Sequence, residues 1–391
     1  MGNRGKYRWV IAVMSWLAGV VSAVGYFKVP PIMPVLMETF QLTYAAATML
    51  MTLFVIGAFV VSLPIGSLVR SLGPKKVGIV MLICLIVGSL LGCFAAGYEV
   101  LLVSRFIEGL ALGAAYIYAP ALVTLWFPPE ELGKAMGILM TFMPVGVTVS
   151  YIVGPLLVVA SWQSVWWFST IIAIIICMLF AALTKMPQVS PTSSKIEKEK
   201  SKESSRKAYA NIDIWLVAIA YFCYNYTTLA FMSWLPSYYV NAAGWALPTA
   251  SLIATIGPIM MIPFGPVGGA VADKIKSMRK PAIASLALLG VTLPLATYFT
   301  DIWIALLYII IVGIIWSFTP PCVTAAPGII LGPELAGVGL GILNLMAQLG
   351  IMIGPLVLGF LIPTGWSTAY LSLAPICFIG AILVALAKKL K

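Results

Sequence analysis

Twelve apolar stretches, at roughly 9–37, 44–69, 76–97, 99–126, 131–157, 163–184, 213–240, 248–272, 281–299, 302–330, 335–361 and 366–387, leave this chain few ways to fold. Crossing a hydrocarbon core takes about 20 residues of helix. A segment immersed in lipid must satisfy its own backbone N–H and C=O groups, which for single apolar segments means α-helix. The composition agrees: 62% of the residues are hydrophobic and only 9% charged, against about 25% charged in a soluble domain. The expectation is an all-α polytopic membrane protein with twelve transmembrane helices, numbered here as spans 1–12.

The basic residues give the spans a direction. Of the 23 Lys and Arg residues, 21 fall in the segments on the side of the N-terminus, and the segments on the other side carry only acids, Glu38, Glu99 and Asp301. Basic loops are retained in the cytoplasm. The partition therefore predicts a multi-pass plasma-membrane protein with both termini cytoplasmic. The net charge of +11 follows from the same bias and from attraction to anionic lipid, so nucleic acid is not an expected partner.

Several chemistries lack their residues. The chain has no histidine, which removes the commonest general base and metal ligand. Its six cysteines lie in apolar spans without a Cys-x-x-Cys pair, so neither a metal site nor a disulfide framework is expected. No Gly-x-x-x-x-Gly-Lys-[Ser/Thr] run is present to cradle a nucleotide phosphate. An enzyme and a cofactor are both unexpected.

One long polar stretch, about 186–212, is rich in Pro, Ser, Lys and Glu; such a composition cannot bury enough apolar surface to fold alone. It divides the chain into 1–185 and 213–391, six spans each, and the halves resemble one another. Pro129-Glu130-Glu-Leu-Gly133-Lys-Ala-Met-Gly137-Ile138-Leu139 aligns without a gap on Pro333-Glu334-Leu-Ala-Gly337-Val-Gly-Leu-Gly341-Ile342-Leu343, and Trp162 aligns on Trp366 at the same offset of 204. Two pseudo-symmetric six-helix bundles are expected.

These residues carry a family resemblance. After span 2 the chain reads Gly66-Ser-Leu-Val-Arg70-Ser-Leu-Gly73-Pro-Lys75-Lys76, after span 8 Gly269-Ala-Val-Ala-Asp273-Lys274, in span 4 Arg105-Phe-Ile-Glu108-Gly109, and in span 5 Gly146 and Gly154-Pro155. With twelve spans and a duplicated half, the sequence resembles the major facilitator superfamily. Trp126-Phe-Pro-Pro-Glu-Glu-Leu-Gly-Lys-Ala-Met-Gly further resembles its small-anion branches, of the cyanate, nitrate or monocarboxylate type. The resemblance implies secondary transport by alternating access, with a polar substrate site near mid-depth between the halves and spans 3, 6, 9 and 12 outermost. Its pattern has an acid where this chain has Arg70. A compensating exchange at a cytoplasmic gate is expected, Arg70 near Glu334 and Asp273 near Lys134.

Three charged residues lie well inside apolar spans, away from the ends. An ammonium at membrane depth costs about 2.5–3.5 kcal/mol even on lenient insertion scales, so Lys28 needs partners. Counting 1.5 Å per residue from the outer end of each span, Lys28 and Glu108 lie roughly 14 Å deep and Arg105 roughly 9 Å. The three share a level, where they form either a structural ion pair or a site whose surplus positive charge attracts a monoanion. The second half offers polar side chains instead. Tyr221 and Asn225 are one turn apart in span 7, Asn344 and Gln348 one turn apart in span 11, and Trp316 lies in span 10. They serve equally well as glue between helices or as the lining of a site. Gly109 and Gly113, Gly133 and Gly137, Gly337 and Gly341, and Gly350 and Gly354 have the spacing that lets helix backbones approach closely.

The sequence thus predicts a transporter of a small monoanion, a carboxylate or an inorganic anion, with a proton or counter-anion as co-substrate and the bilayer as its surroundings. No obligate protein partner is expected. A multidrug or cation exporter using Glu108 as its acid is the alternative within transport, though Lys28 beside that acid opposes a cation. A transport-incompetent receptor on the same scaffold is the alternative outside it.

Overall fold

The computed structural model describes residues 2–186, 209–332 and 335–390. Among these, twelve helices are long and apolar enough to cross a membrane: Tyr7–Phe40, Tyr44–Ser62, Pro74–Cys93, Tyr98–Trp126, Ala135–Leu157, Gln163–Leu183, Ile212–Asn241, Leu247–Ile275, Arg279–Tyr298, Ile302–Leu331, Val338–Thr364 and Trp366–Leu386. They coincide one for one with the spans read from the sequence. Three of the described helix starts are capped by side chains that meet otherwise unpaired amides. Thr43 accepts from Ala46 N, Asn211 from Asp213 N, and Asp301 from Trp303 N and Ile304 N. Span 2 passes directly into span 3 through Gly73, whose φ of +82° favours glycine.

The chain divides into two compact units, Met1–Gln188 with Trp245–Thr255, and Val189–Gly244 with Ile256–Lys391. Of the expected linker 186–212, residues 187–208 lie outside the described residues. The start of span 8 belongs to the first unit, where Ser251 Oγ donates to the Pro31 carbonyl at 3.4 Å.

In the first unit, span 4 packs against spans 1, 2 and 3, and span 1 also packs against spans 5 and 6. The second unit repeats part of this scheme, with span 7 on spans 11 and 12 and span 9 on span 12. Glycine makes the closest crossings possible. A β-carbon at Gly109 or Gly113 would strike the Phe54 or Ala58 carbonyl of span 2, and one at Gly350 or Gly354 would strike the Phe222 or Tyr226 carbonyl of span 7. The same reading fails at Gly137 and Gly341, where an added β-carbon meets nothing within 4 Å. Their spacing places them on a helix face without choosing what that face meets.

Span 1 is interrupted where its sequence dictates. Helix Gly2–Phe27 ends before a short 3-10 turn, Pro30–Ile32, and helix resumes over Met33–Phe40. Pro30 and Pro31 have no N–H to offer the carbonyls four residues earlier, those of Tyr26 and Phe27. Spans 5 and 10 also break, at Thr141 and at Ser317–Phe318, before Pro144 and before Pro320–Pro321.

Candidate functional site

The break in span 1 and the middle of span 4 meet, and the three charged residues that lie well inside the spans gather there. Lys28, Arg105 and Glu108 are each 0% exposed. Glu108 is shared: one carboxylate oxygen lies 2.5 Å from Lys28 Nζ and the other 2.5 Å from Arg105 Nη1. Arg105 and Glu108 are three residues apart on one helix and so lie on the same face.

The rest of the Arg105 fork is spent on backbone. Its Nε donates to the Leu50 carbonyl at 3.1 Å, Nη1 to Gly25 at 2.5 Å and Nη2 to Tyr26 at 3.0 Å. The Tyr26 carbonyl is one of those that the double proline leaves without a helical donor, so the guanidinium fills a need created by the kink. Its face lies over Phe54, 4.5 Å from the ring centroid. Lys28 donates to Ser89 Oγ of span 3 at 3.0 Å and lies 4.5 Å from the centroid of the Trp166 ring of span 6. An ammonium has three hydrogens, and a carboxylate, a hydroxyl and an indole face accommodate them.

The three residues that the depth reckoning puts at one level do meet, with partners that it misses. Ser89, Trp166 and the carbonyls of Gly25, Tyr26 and Leu50 complete the cluster. Ser89 had a legible signal, because it lies roughly 12 Å from the outer end of span 3 on the same count. The carbonyls had only the Pro30–Pro31 pair to announce them. Glu108 is the one buried acid in the first unit among the described residues, so this enclosed cluster holds two cations against one carboxylate.

In the second unit, the Tyr221 and Tyr224 rings stack at 5.9 Å, and Asn225 Nδ2 donates to the Tyr221 carbonyl at 2.8 Å. Tyr224 Oη donates to the carbonyl of Trp316 at 3.0 Å, at the break in span 10. Trp316 is buried edge-on to Phe231, and its Nε1–H has no hydrogen-bond partner. Gln348 is buried and Asn344 exposed. Of the expected gate, Glu334 lies outside the described residues, as do the side chains of Arg70 and Lys134. Asp273 is exposed, and at the start of span 5 Glu131 pairs with Arg8 at 2.7 Å.

Twelve membrane-length helices in two units, with a charge cluster buried among those of the first, define a polytopic membrane protein. Comparison with known proteins identifies the family: residues 15–352 match the model of the Major Facilitator Superfamily, and the chain belongs to it. The Probable sulfoacetate transporter SauU of Cupriavidus necator is 24% identical over 93% of this chain and 89% of its own length. The hexuronate transporter of Bacillus subtilis is 25% identical over 72% of this chain and 69% of its own. Among solved structures, a bacterial homologue of the human lysosomal transporter Spinster, inward-facing and unoccupied, superposes with a TM-score of 0.80 at 15% identity, over 97% of this chain and 95% of that one.

Proposed function

We propose that this protein is a secondary transporter that carries a small organic monoanion across the plasma membrane by alternating access, with both termini in the cytoplasm. One observation carries the reading. Two cations share a single carboxylate in an enclosed site, so one positive charge is uncompensated where the dielectric is low and an anion is strongly attracted. The named substrates of the two relatives, sulfoacetate and hexuronate, are small organic anions, which supports an organic anion as substrate; hexuronate carries one charge and sulfoacetate two. Lys28 and Arg105 supply the attraction. Glu108 is the exchangeable partner: a proton on its carboxylate weakens its hold on both cations and frees them for the anion. In the second unit, Tyr221, Asn225, Trp316, Asn344 and Gln348 supply neutral hydrogen-bonding groups, among them the unpaired Trp316 Nε1–H. A cation exporter fits poorly, because the only buried acid among the described residues of the first unit is already held by two cations.

The test is a charge count. Lys28→Ala lowers the cluster from one surplus cation to none, and the double variant Lys28→Ala/Glu108→Gln restores one. Binding of small carboxylates and sulfonates to the purified protein, read as thermal stabilisation, is lost in the first and partly regained in the second. In proteoliposomes, Glu108→Gln retains anion exchange and loses proton-driven uptake. Unchanged anion affinity in both Lys28→Ala and Arg105→Ala overturns the assignment.

A further inference from the structure

The second unit carries a feature that transport chemistry leaves unused. On the side of this unit that bears the C-terminus, spans 8, 9 and 10 enclose a groove of about 440 Å³, walled by Ile275, Ala284, Leu288, Ile314, Ile315 and Phe318. Apart from Lys280 at its mouth, its wall offers no free polar group to a polar ligand. Ser285 Oγ donates to the Ile315 carbonyl at 2.7 Å and accepts from Thr319 at 2.9 Å. Ile275 and Leu288 are about half exposed on the outer surface of their helices, at 47% and 50%, so the groove opens sideways toward lipid. From Arg279 to Leu288 the helix descends roughly 14 Å, about the depth of one leaflet's hydrocarbon.

The mouth has the opposite character. Ile275 and Lys280 also line an adjoining cavity of about 450 Å³, together with Lys276, Ser277 and Arg279. Between residues 273 and 280 the chain carries four basic residues and one acid, Asp273. Lys276 and Lys280 are exposed, whereas Arg279 Nη2 is engaged with the Ala385 carbonyl. The mouth also lies at the start of helix Arg279–Thr292, whose first amides add positive potential.

We propose that this groove and its basic mouth form a binding site for an anionic phospholipid. One acyl chain fills the groove, and the phosphate is held by Lys276 and Lys280 with Arg279 behind them. The charge arrangement selects the occupant: a zwitterionic choline headgroup would bring a further cation to a mouth that already holds three, whereas a glycerol headgroup would not.

Native mass spectrometry of the full-length, detergent-purified protein tests this, with dioleoyl phosphatidylglycerol, dioleoyl phosphatidylcholine and glycerol phosphate as probes. One phosphatidylglycerol is expected to be retained and phosphatidylcholine is not. Lys276→Gln/Lys280→Gln lowers its occupancy constant by about thirtyfold without changing the elution of the folded protein, since both side chains are exposed. Ala284→Trp, which fills the groove, removes the bound lipid while leaving the basic mouth intact. Equal retention of the two lipids overturns the proposal, and so does unchanged retention in the lysine double variant. Displacement of the lipid by glycerol phosphate at equal concentration also overturns it, showing a site for small anions alone.

Discussion

Replacing Arg105 by lysine keeps the charge and removes the geometry. The guanidinium reaches four acceptors at once, the carbonyls of Leu50, Gly25 and Tyr26 and the Glu108 carboxylate. A lysine ammonium has three hydrogens on one shorter-reaching nitrogen. With Glu108 drawing it, it reaches one carbonyl at most. The Leu50 carbonyl, inside helix Tyr44–Leu72, keeps its helical donor, so one or both of the Gly25 and Tyr26 carbonyls lose theirs. At about 1–3 kcal/mol for each buried unpaired group, the loss is about 1–6 kcal/mol. The Tyr26 carbonyl gives an internal control, because alanine at position 30 restores the N–H that proline lacks, four residues on. Pro30→Ala is therefore expected to stabilise the Arg105→Lys protein more than the wild type, by about 1–3 kcal/mol. Thermal unfolding of all four variants in one detergent, followed by tryptophan fluorescence, measures the coupling. A strictly additive cycle, or an Arg105→Lys protein as stable as the wild type, refutes the claim that the arginine serves the proline break.

Gly109→Ala drives a β-carbon against the Phe54 carbonyl and should cost about 1–3 kcal/mol. Gly137→Ala, which meets open space, should be neutral or stabilise its helix by up to about 1 kcal/mol; the same melting assay compares them. Tyr224→Phe removes the bond to the Trp316 carbonyl and should destabilise by about 0.5–1.5 kcal/mol. Orientation is tested in a cysteine-free background with single cysteines at the exposed positions Glu38 and Lys389. A membrane-impermeant maleimide should label position 38 on intact cells and position 389 only after lysis, and the reverse pattern would invert the topology.

Sequence alone determined the number of spans and their helical nature. Both follow from local properties: apolar length and the need to satisfy the backbone within lipid. It also placed Lys28, Arg105 and Glu108 at one depth, because rise per residue is fixed in a helix whatever its neighbours. Rotation about the helix axis was not legible in the same way. A membrane helix such as span 3 is apolar on nearly every face, so no periodic stripe reports which side meets protein and which meets lipid. That is why Ser89 could be given a depth but not a partner, and why the spacing of Gly133 and Gly137 read the same as that of Gly109 and Gly113. Only the packing of spans 1, 2, 3, 4 and 6 decided that Lys28 turns toward Ser89 and Trp166, and that Arg105 reaches the carbonyls around Pro30. Close contact between helices in lipid is set by interlocking surfaces and buried polar pairs, and those come from residues far apart in the chain.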